Sequence, residues 1–181
     1  IDSATMMNKV FEVIEAQRLF NIDLKKIKIK IHSSSYIHSI IKFKNGLIKL
    51  LAHETSMSIP IYNSLFSNRG NLSLKTKQID YSILNNLNFT MIDEKRFPVV
   101  KILKKIKNYC SLYETAIVSA NDQLVDLFLQ KKIKFIDINN HLIKILSDKQ
   151  IILLKKKKPS NYEDIRLINE YVKLKIISVC I

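Results

Sequence analysis

Only two glycines, Gly46 and Gly70, occur in the 181 residues. Glycine takes positive φ without strain and lets a backbone approach a ligand closely. A chain this poor in it builds few tight turns at no steric cost. It also has no glycine-rich loop with which to cradle a pyrophosphate, which excludes a P-loop or a GxGxxG dinucleotide fingerprint within these residues. A nucleotide-cofactor domain would have to lie outside them. The sequence opens on Ile1 rather than Met, so it reads as a piece of a longer chain.

The length suits one domain or two small ones, and 47% apolar residues supply a core. Cys110 and Cys180 match neither a zinc spacing nor a CxxC redox motif and read as two reduced thiols. No segment has the build of a signal peptide, and no run of about 20 apolar residues could span a bilayer.

The net charge is +14, from 30 Lys+Arg against 16 Asp+Glu. Of the basic residues 26 are Lys and only 4 Arg, beside 30 Ile and 15 Asn. Lys, Ile and Asn are the residues of AT-rich codons, so most of the charge reads as composition bias. A nucleic-acid reader would use more Arg, whose planar fork fits phosphate and guanine, and aromatics among the basic runs. Lys155–Lys158 has no aromatic beside it and reads as a solvated loop before Pro159. No nucleic-acid or membrane partner is expected.

Hydrophobic period divides the chain. Thr5 to Phe20 is an amphipathic helix, with Met6, Met7, Val10, Phe11, Val13 and Ile14 on one arc and Asn8, Lys9, Glu12 and Glu15 opposite. Asn21-Ile22-Asp23 ends it. Lys26 to Ile31 alternates strictly, as a half-buried strand does. Tyr36 to Phe43 and Leu47 to Ala52 read as further strands joined through Asn45-Gly46, a hairpin signal. Ile59 to Phe66 reads as a short helix with Pro60 in its first turn, and Ser67 to about Lys77 as a polar linker. Beyond about Lys95 the period is helical. Val99–Ile106, Glu114–Gln130, Ile138–Ser147 and Tyr162–Val179 are the expected helices of a small antiparallel bundle, with Asp137 as N-cap of the third.

The fold class expected is therefore α+β. Residues 1–66 form a helix with a few strands, 67–94 a linker and 95–181 a four-helix C-terminal domain.

The opening Asp2-Ser3-Ala4-Thr5-Met6-Met7-Asn8-Lys9 carries the chemistry. A hydroxyl-rich segment that runs into a helix N-terminus offers free N–H groups and positive partial charge, which suits a phosphate. Ser3 adds a hydroxyl, Asn8 an amide and Lys9 a charge. Glu12, one turn on, is a candidate ligand for Mg²⁺ or Mn²⁺, and a metal site would need about two more oxygen donors. The plainer alternative is a capped helix, with Ser3 or Thr5 as cap and Asn8, Lys9, Glu12 and Glu15 as its solvated face.

The string Ile1 to Lys9, followed by Phe11-Glu12-Val13-Ile14-Glu15-Ala16, closely resembles the 1-deoxy-D-xylulose 5-phosphate reductoisomerase family. More of the family's motifs follow in order. Ile31-His32-Ser33-Ser34-Ser35-Tyr36-Ile37-His38-Ser39 resembles its IHPQSxIHS, Asn45-Gly46 falls on its hairpin turn, and Met57-Ser58-Ile59-Pro60-Ile61 resembles MRTPI. Arg96-Phe97-Pro98, Ala120-Asn121-Asp122 and Ile133 to Ile138 extend the likeness to about residue 145. Val10 stands where the family has Gly, Thr55-Ser56 for its Pro-Asp, Phe66-Ser67 for its Trp-Pro and Val118 for an Asn.

The resemblance implies an NADPH- and divalent-metal-dependent enzyme of non-mevalonate isoprenoid biosynthesis. Such an enzyme rearranges and reduces 1-deoxy-D-xylulose 5-phosphate to 2-C-methyl-D-erythritol 4-phosphate. It implies that Ser3, Asn8 and Lys9 bind the substrate, chiefly its phosphate, that Glu12 ligates Mg²⁺ or Mn²⁺ and touches the substrate through it, and that Glu12 and Lys9 are catalytic. Met57 would adjoin substrate and nicotinamide. His32 is either a substrate-binding histidine or a polar residue closing a strand, and His38 reads as structural. No NADPH-binding residue is expected in this chain. The resemblance further implies a homodimer in the bacterial cytoplasm, or in the plastid of an AT-rich eukaryote, and a chain inactive by itself. The contrasting reading is a non-catalytic remnant or a basic helical nucleic-acid-binding module.

Overall fold

The computed structural model describes residues 1–66 and 77–180. They group into two compact units, 1–29 with the chain from Asp93 onward, and 30–92. The expected linker from Ser67 lies outside the described residues as far as 76.

The first unit holds the buried core among the described residues. α1 (Asp2–Thr5) and α2 (Met7–Phe20) are separated by Met6, whose φ is 66°. The helix expected from Thr5 thus starts two residues later, at Met7, behind a separate short turn of helix. Met7 and Val10 are fully buried and Val13 nearly so, against the segment Pro98–Lys105, where Val99, Val100 and Ile102 are buried. That segment is a 3₁₀ helix rather than the first α-helix of a bundle. Pro98 opens it by fixing φ without needing an N–H partner, and runs of this kind serve as connectors. α2 stops at Asn21, which takes the left-handed conformation that Asn tolerates.

α5 (Leu112–Leu129) is the central helix. Tyr113, Ala116, Ile117, Ala120, Leu124 and Leu127 recur at helical spacing and are all but inaccessible. Each large side chain so buried contributes about 1.5–3 kcal/mol. Ser111 and Glu114 form a capping box at its start. At its end Lys132 N–H donates to the Leu127 carbonyl and Lys131 N–H to that of Phe128. This is a Schellman closure, with Lys131 (φ 60°) in the seat usually held by glycine. α6 (Phe135–Ile145), α7 (Lys149–Leu153) and α8 (Tyr162–Cys180) complete the unit. Asp137 is not the N-cap of α6. Its carboxylate reaches back 2.9 Å to the N–H of Lys134, so the helix begins three residues earlier.

In the second unit β1 (Lys30–Ile31) pairs antiparallel with β4 (Thr90–Met91), and β2 (Ile37–Lys42) with β3 (Ile48–Ala52). α3 (Ser58–Phe66) and α4 (Tyr81–Asn85) are its helices. The alternation of Lys26 to Ile31 survives in burial, Ile half-buried and Lys exposed, yet only Lys30–Ile31 joins a ladder. Leu24–Lys26 is instead a 3₁₀ turn closed by Asp23, whose carboxylate accepts from Lys25 N–H. The hairpin turn is a three-residue loop. Gly46 N–H donates to Phe43, Phe43 N–H to Leu47, and Gly46 takes φ 89°, as in a type I turn followed by a bulge.

Candidate functional site

Ser3 lies on α1, and Asn8, Lys9 and Glu12 lie on the first two turns of α2, beyond the kink at Met6. Three buried side chains anchor this opening turn. Thr5 is 1% exposed, and its hydroxyl donates to the Asp2 carbonyl and accepts from Met7 N–H. Met7 and Val10 fill the core beneath. Met6 sits in left-handed space at a cost of about 1–2 kcal/mol. That kink lets α2 start in a new direction at Met7.

The backbone donors expected at this terminus are largely spent. Ala4 and Thr5 N–H donate to Ile1, Met6 N–H to Ser3, and Lys9 and Val10 N–H to Met6. The tight double start satisfies most of its own amides, so an anion here would be met mainly by side chains. Ser3 is exposed, and Lys9 and Glu12 keep 42% and 53% of their side-chain surface. Lys9 Nζ lies 2.7 Å and 3.0 Å from the two carboxylate oxygens of Glu12. Asn8 Oδ1 is buried without a partner. Such an atom forfeits about 1–3 kcal/mol unless a ligand or water donates to it.

α2 is held at its far end by polar contacts that its sequence does not announce. Arg18 meets Glu114 at 2.5 Å and the Tyr109 carbonyl at 2.9 Å, and Gln17 donates to the Asn108 carbonyl. Their partners lie some 90 residues away in the chain. Asn121, buried on α5, donates to Asp2 at 3.1 Å. The only hint of that contact in the sequence was the motif Ala120-Asn121-Asp122.

The other two expected substrate residues belong to the second unit. His32 has both ring nitrogens engaged: Nε2 accepts from Ile37 N–H at 2.8 Å, and Nδ1 lies 3.1 Å from Ser34 Oγ. It closes the turn before β2. Met57 is exposed just before α3. His38 is the extra residue of a bulge between Ile37 and Ser39, and its ring stacks on His53 at 3.6 Å. Next to it a cleft of about 540 Å³ is lined by His53, Glu54, Ser34, Tyr36, Lys77 and Asp80 among others.

Glu12 is one carboxylate. Among the described residues no group of three His, Cys, Asp or Glu side chains could hold a metal ion. The described residues therefore do not make a complete metal site. No described helix is long and apolar enough to cross a membrane.

Comparison with known proteins gives the chain's relatives. Residues 53–174 match the model of the DXP reductoisomerase C-terminal domain. The chain is 55% identical over its whole length to 1-deoxy-D-xylulose 5-phosphate reductoisomerase of Pelagibacter ubique, covering 46% of that protein. It is 32% identical to the Aquifex aeolicus protein of the same name, over 97% of this chain and 45% of the relative. Among solved structures, the Zymomonas mobilis reductoisomerase in complex with NADPH aligns with a TM-score of 0.83 and 30% identity, over 99% of this chain and 46% of that one. A reductoisomerase with fosmidomycin and magnesium aligns at 0.86 and 27%, over 99% and 45%. The chain thus spans a little under half the length of these relatives. With the family's C-terminal domain matched across two thirds of the sequence, the chain belongs to the 1-deoxy-D-xylulose 5-phosphate reductoisomerase family.

Proposed function

We propose that these residues hold the phosphosugar for a reductoisomerase that converts 1-deoxy-D-xylulose 5-phosphate to 2-C-methyl-D-erythritol 4-phosphate, with NADPH and Mg²⁺ or Mn²⁺. The observation that carries this is the opening turn. Ser3 on α1 and Asn8 and Lys9 at the start of α2 flank the kink at Met6, and the buried Asn8 amide oxygen lacks a donor. Ser3 Oγ, Asn8 Nδ2 and Lys9 Nζ can donate to phosphate oxygens, and a substrate hydroxyl can donate to Asn8 Oδ1. Glu12 contributes one carboxylate toward the metal. The other ligands and the dinucleotide domain belong to the part of the family's chain that these residues do not span.

On this reading residues 1–29 bring the substrate-binding turn and belong with the helices beyond Asp93, and residues 30–92, which hold α4 and β4, form a unit of their own rather than ending in a linker over 67–94. His32 positions the turn before β2 and Met57 offers an apolar contact to substrate. The full protein is a cytoplasmic homodimer whose partner is a small phosphosugar.

The test is a titration of 1-deoxy-D-xylulose 5-phosphate into isotope-labelled chain. Amide shifts centred on Ser3 to Glu12, weakened about tenfold or more by Lys9→Ala, support the reading. Shifts confined to other residues overturn it. NADPH oxidation by residues 1–181 with substrate and Mn²⁺ is expected at background; clear turnover would contradict the division of labour.

A further inference from the structure

Asn121 lies on α5 and is 1% exposed. Its Nδ2 donates to Asp2 Oδ1 at 3.1 Å across 119 residues of sequence, while its Oδ1 is buried without a partner. Asp2 begins the opening turn. Its carbonyl takes the Thr5 hydroxyl and its neighbour is Ser3. Burial pushes the neighbouring Asp122 carboxyl above its ordinary value, Lys173 on α8 opposes this and Asp2 adds to it. The buried amide of Asn121 is the neutral donor that holds the Asp2 carboxylate on α5.

Met7 and Val10 pin the far side of the turn in the core. With Asn121 on the near side, the left-handed kink at Met6 is held from both ends. Strain of this kind persists only where its surroundings over-determine it.

We propose that Asn121 is a positioning residue, which acts through Asp2 to hold the Ser3–Lys9 turn in its ligand-binding shape. The ligand assigned to that turn rests on the function proposed above; the positioning itself rests on the contact.

The experiment compares Asn121→Leu, Asn121→Asp and the exchange Asp2→Asn with Asn121→Asp, all in the full 181-residue chain. Three quantities are read: the urea midpoint, amide hydrogen exchange over Ser3 to Lys9, and affinity for inorganic phosphate from the Asn8 and Lys9 amide shifts. Asn121→Leu removes the hydrogen bond without adding charge. It should speed exchange in the turn and weaken phosphate about fivefold. Asn121→Asp, which sets two carboxylates face to face, should do more. The exchanged pair restores a donor and an acceptor with reversed polarity and should recover both readouts to within about twofold. The proposal is overturned if the single variants lower the urea midpoint but leave turn exchange unchanged, or if the exchanged pair recovers nothing. A parent chain that ignores phosphate would sink the functional reading, while exchange in the turn would still decide the role of Asn121.

Discussion

Lys9 and Glu12 are each other's partner: one ammonium bridges both oxygens of a carboxylate one turn further along α2, at 2.7 Å and 3.0 Å. On the proposed function one residue serves an anion and the other a cation. Both side chains are half-exposed, so the pair is worth about 1 kcal/mol at most and opens easily. Phosphate on Lys9 would free Glu12, and a divalent ion on Glu12 would free Lys9. Phosphate should therefore tighten Mn²⁺ about twofold to fivefold, and Mn²⁺ should tighten phosphate by the same factor. Paramagnetic broadening of the Glu12 amide measures this. Lys9→Met should abolish the coupling, and persistence of the coupling in that variant would contradict it.

Among the described residues Arg18 and Glu114 form the most enclosed ion pair, with 24% and 13% of their side chains exposed. Arg18→Met leaves a half-buried carboxylate and should cost about 2–3 kcal/mol in urea unfolding. Arg18→Met with Glu114→Gln should recover part of the loss. A glutamine still serves the capping box with Ser111 and buries no charge.

Lys131 occupies left-handed space at the end of α5 with φ 60°. Lys131→Gly should raise stability by about 0.5–1 kcal/mol, because relief of the Cβ clash exceeds the entropy that glycine adds to the unfolded chain. Thermal unfolding should show a rise of about 2–4 °C.

Asp148 caps α7 by accepting from Gln150 N–H, and its other oxygen meets Lys175 of α8 at 2.9 Å. The hydrogen bond from Lys175 holds its carboxyl below the ordinary value of 3.8. A folded-state value below the unfolded one means that the stabilisation is present above about pH 4 and is lost as the pH falls through the lowered value. Asp148→Asn keeps the cap and removes the charge. Its urea midpoint should fall less than that of the parent between pH 5 and pH 3.

Much of the fold was legible because it is local. The helical period of α5, α6 and α8 located them to within about three residues, since one buried stripe decides each. The Asn45-Gly46 turn located the hairpin, since only a residue at ease with positive φ fits position 46. That Lys9 and Glu12 share a helix face was legible for the same reason: they stand three residues apart on α2, and their side chains meet. Misreadings arose where distant residues intervene. Lys26 was read as strand, but Asp23 and the Asn108 side chain, which accepts from Leu24 N–H, tie this stretch into a 3₁₀ turn. His32 could be a ligand or a closing residue by sequence, and the Ile37 N–H that occupies its Nε2 favours the second.

The scarcity of glycine and the opening string were decisive without any coordinates. They excluded a phosphate loop and pointed to the family, because both depend on residue type and order alone. What the tertiary structure decided is how a glycine-poor chain manages its sharp bends. It seats Met6, Asn21, Ser35 and Lys131 at positive φ. At Met6 the strain is met by burial of Met7 and Val10 and by the reach of Asn121 to Asp2. Contacts between residues 119 apart have no signature in local propensity. They exist only once the core has formed and brought α5 beneath the opening turn.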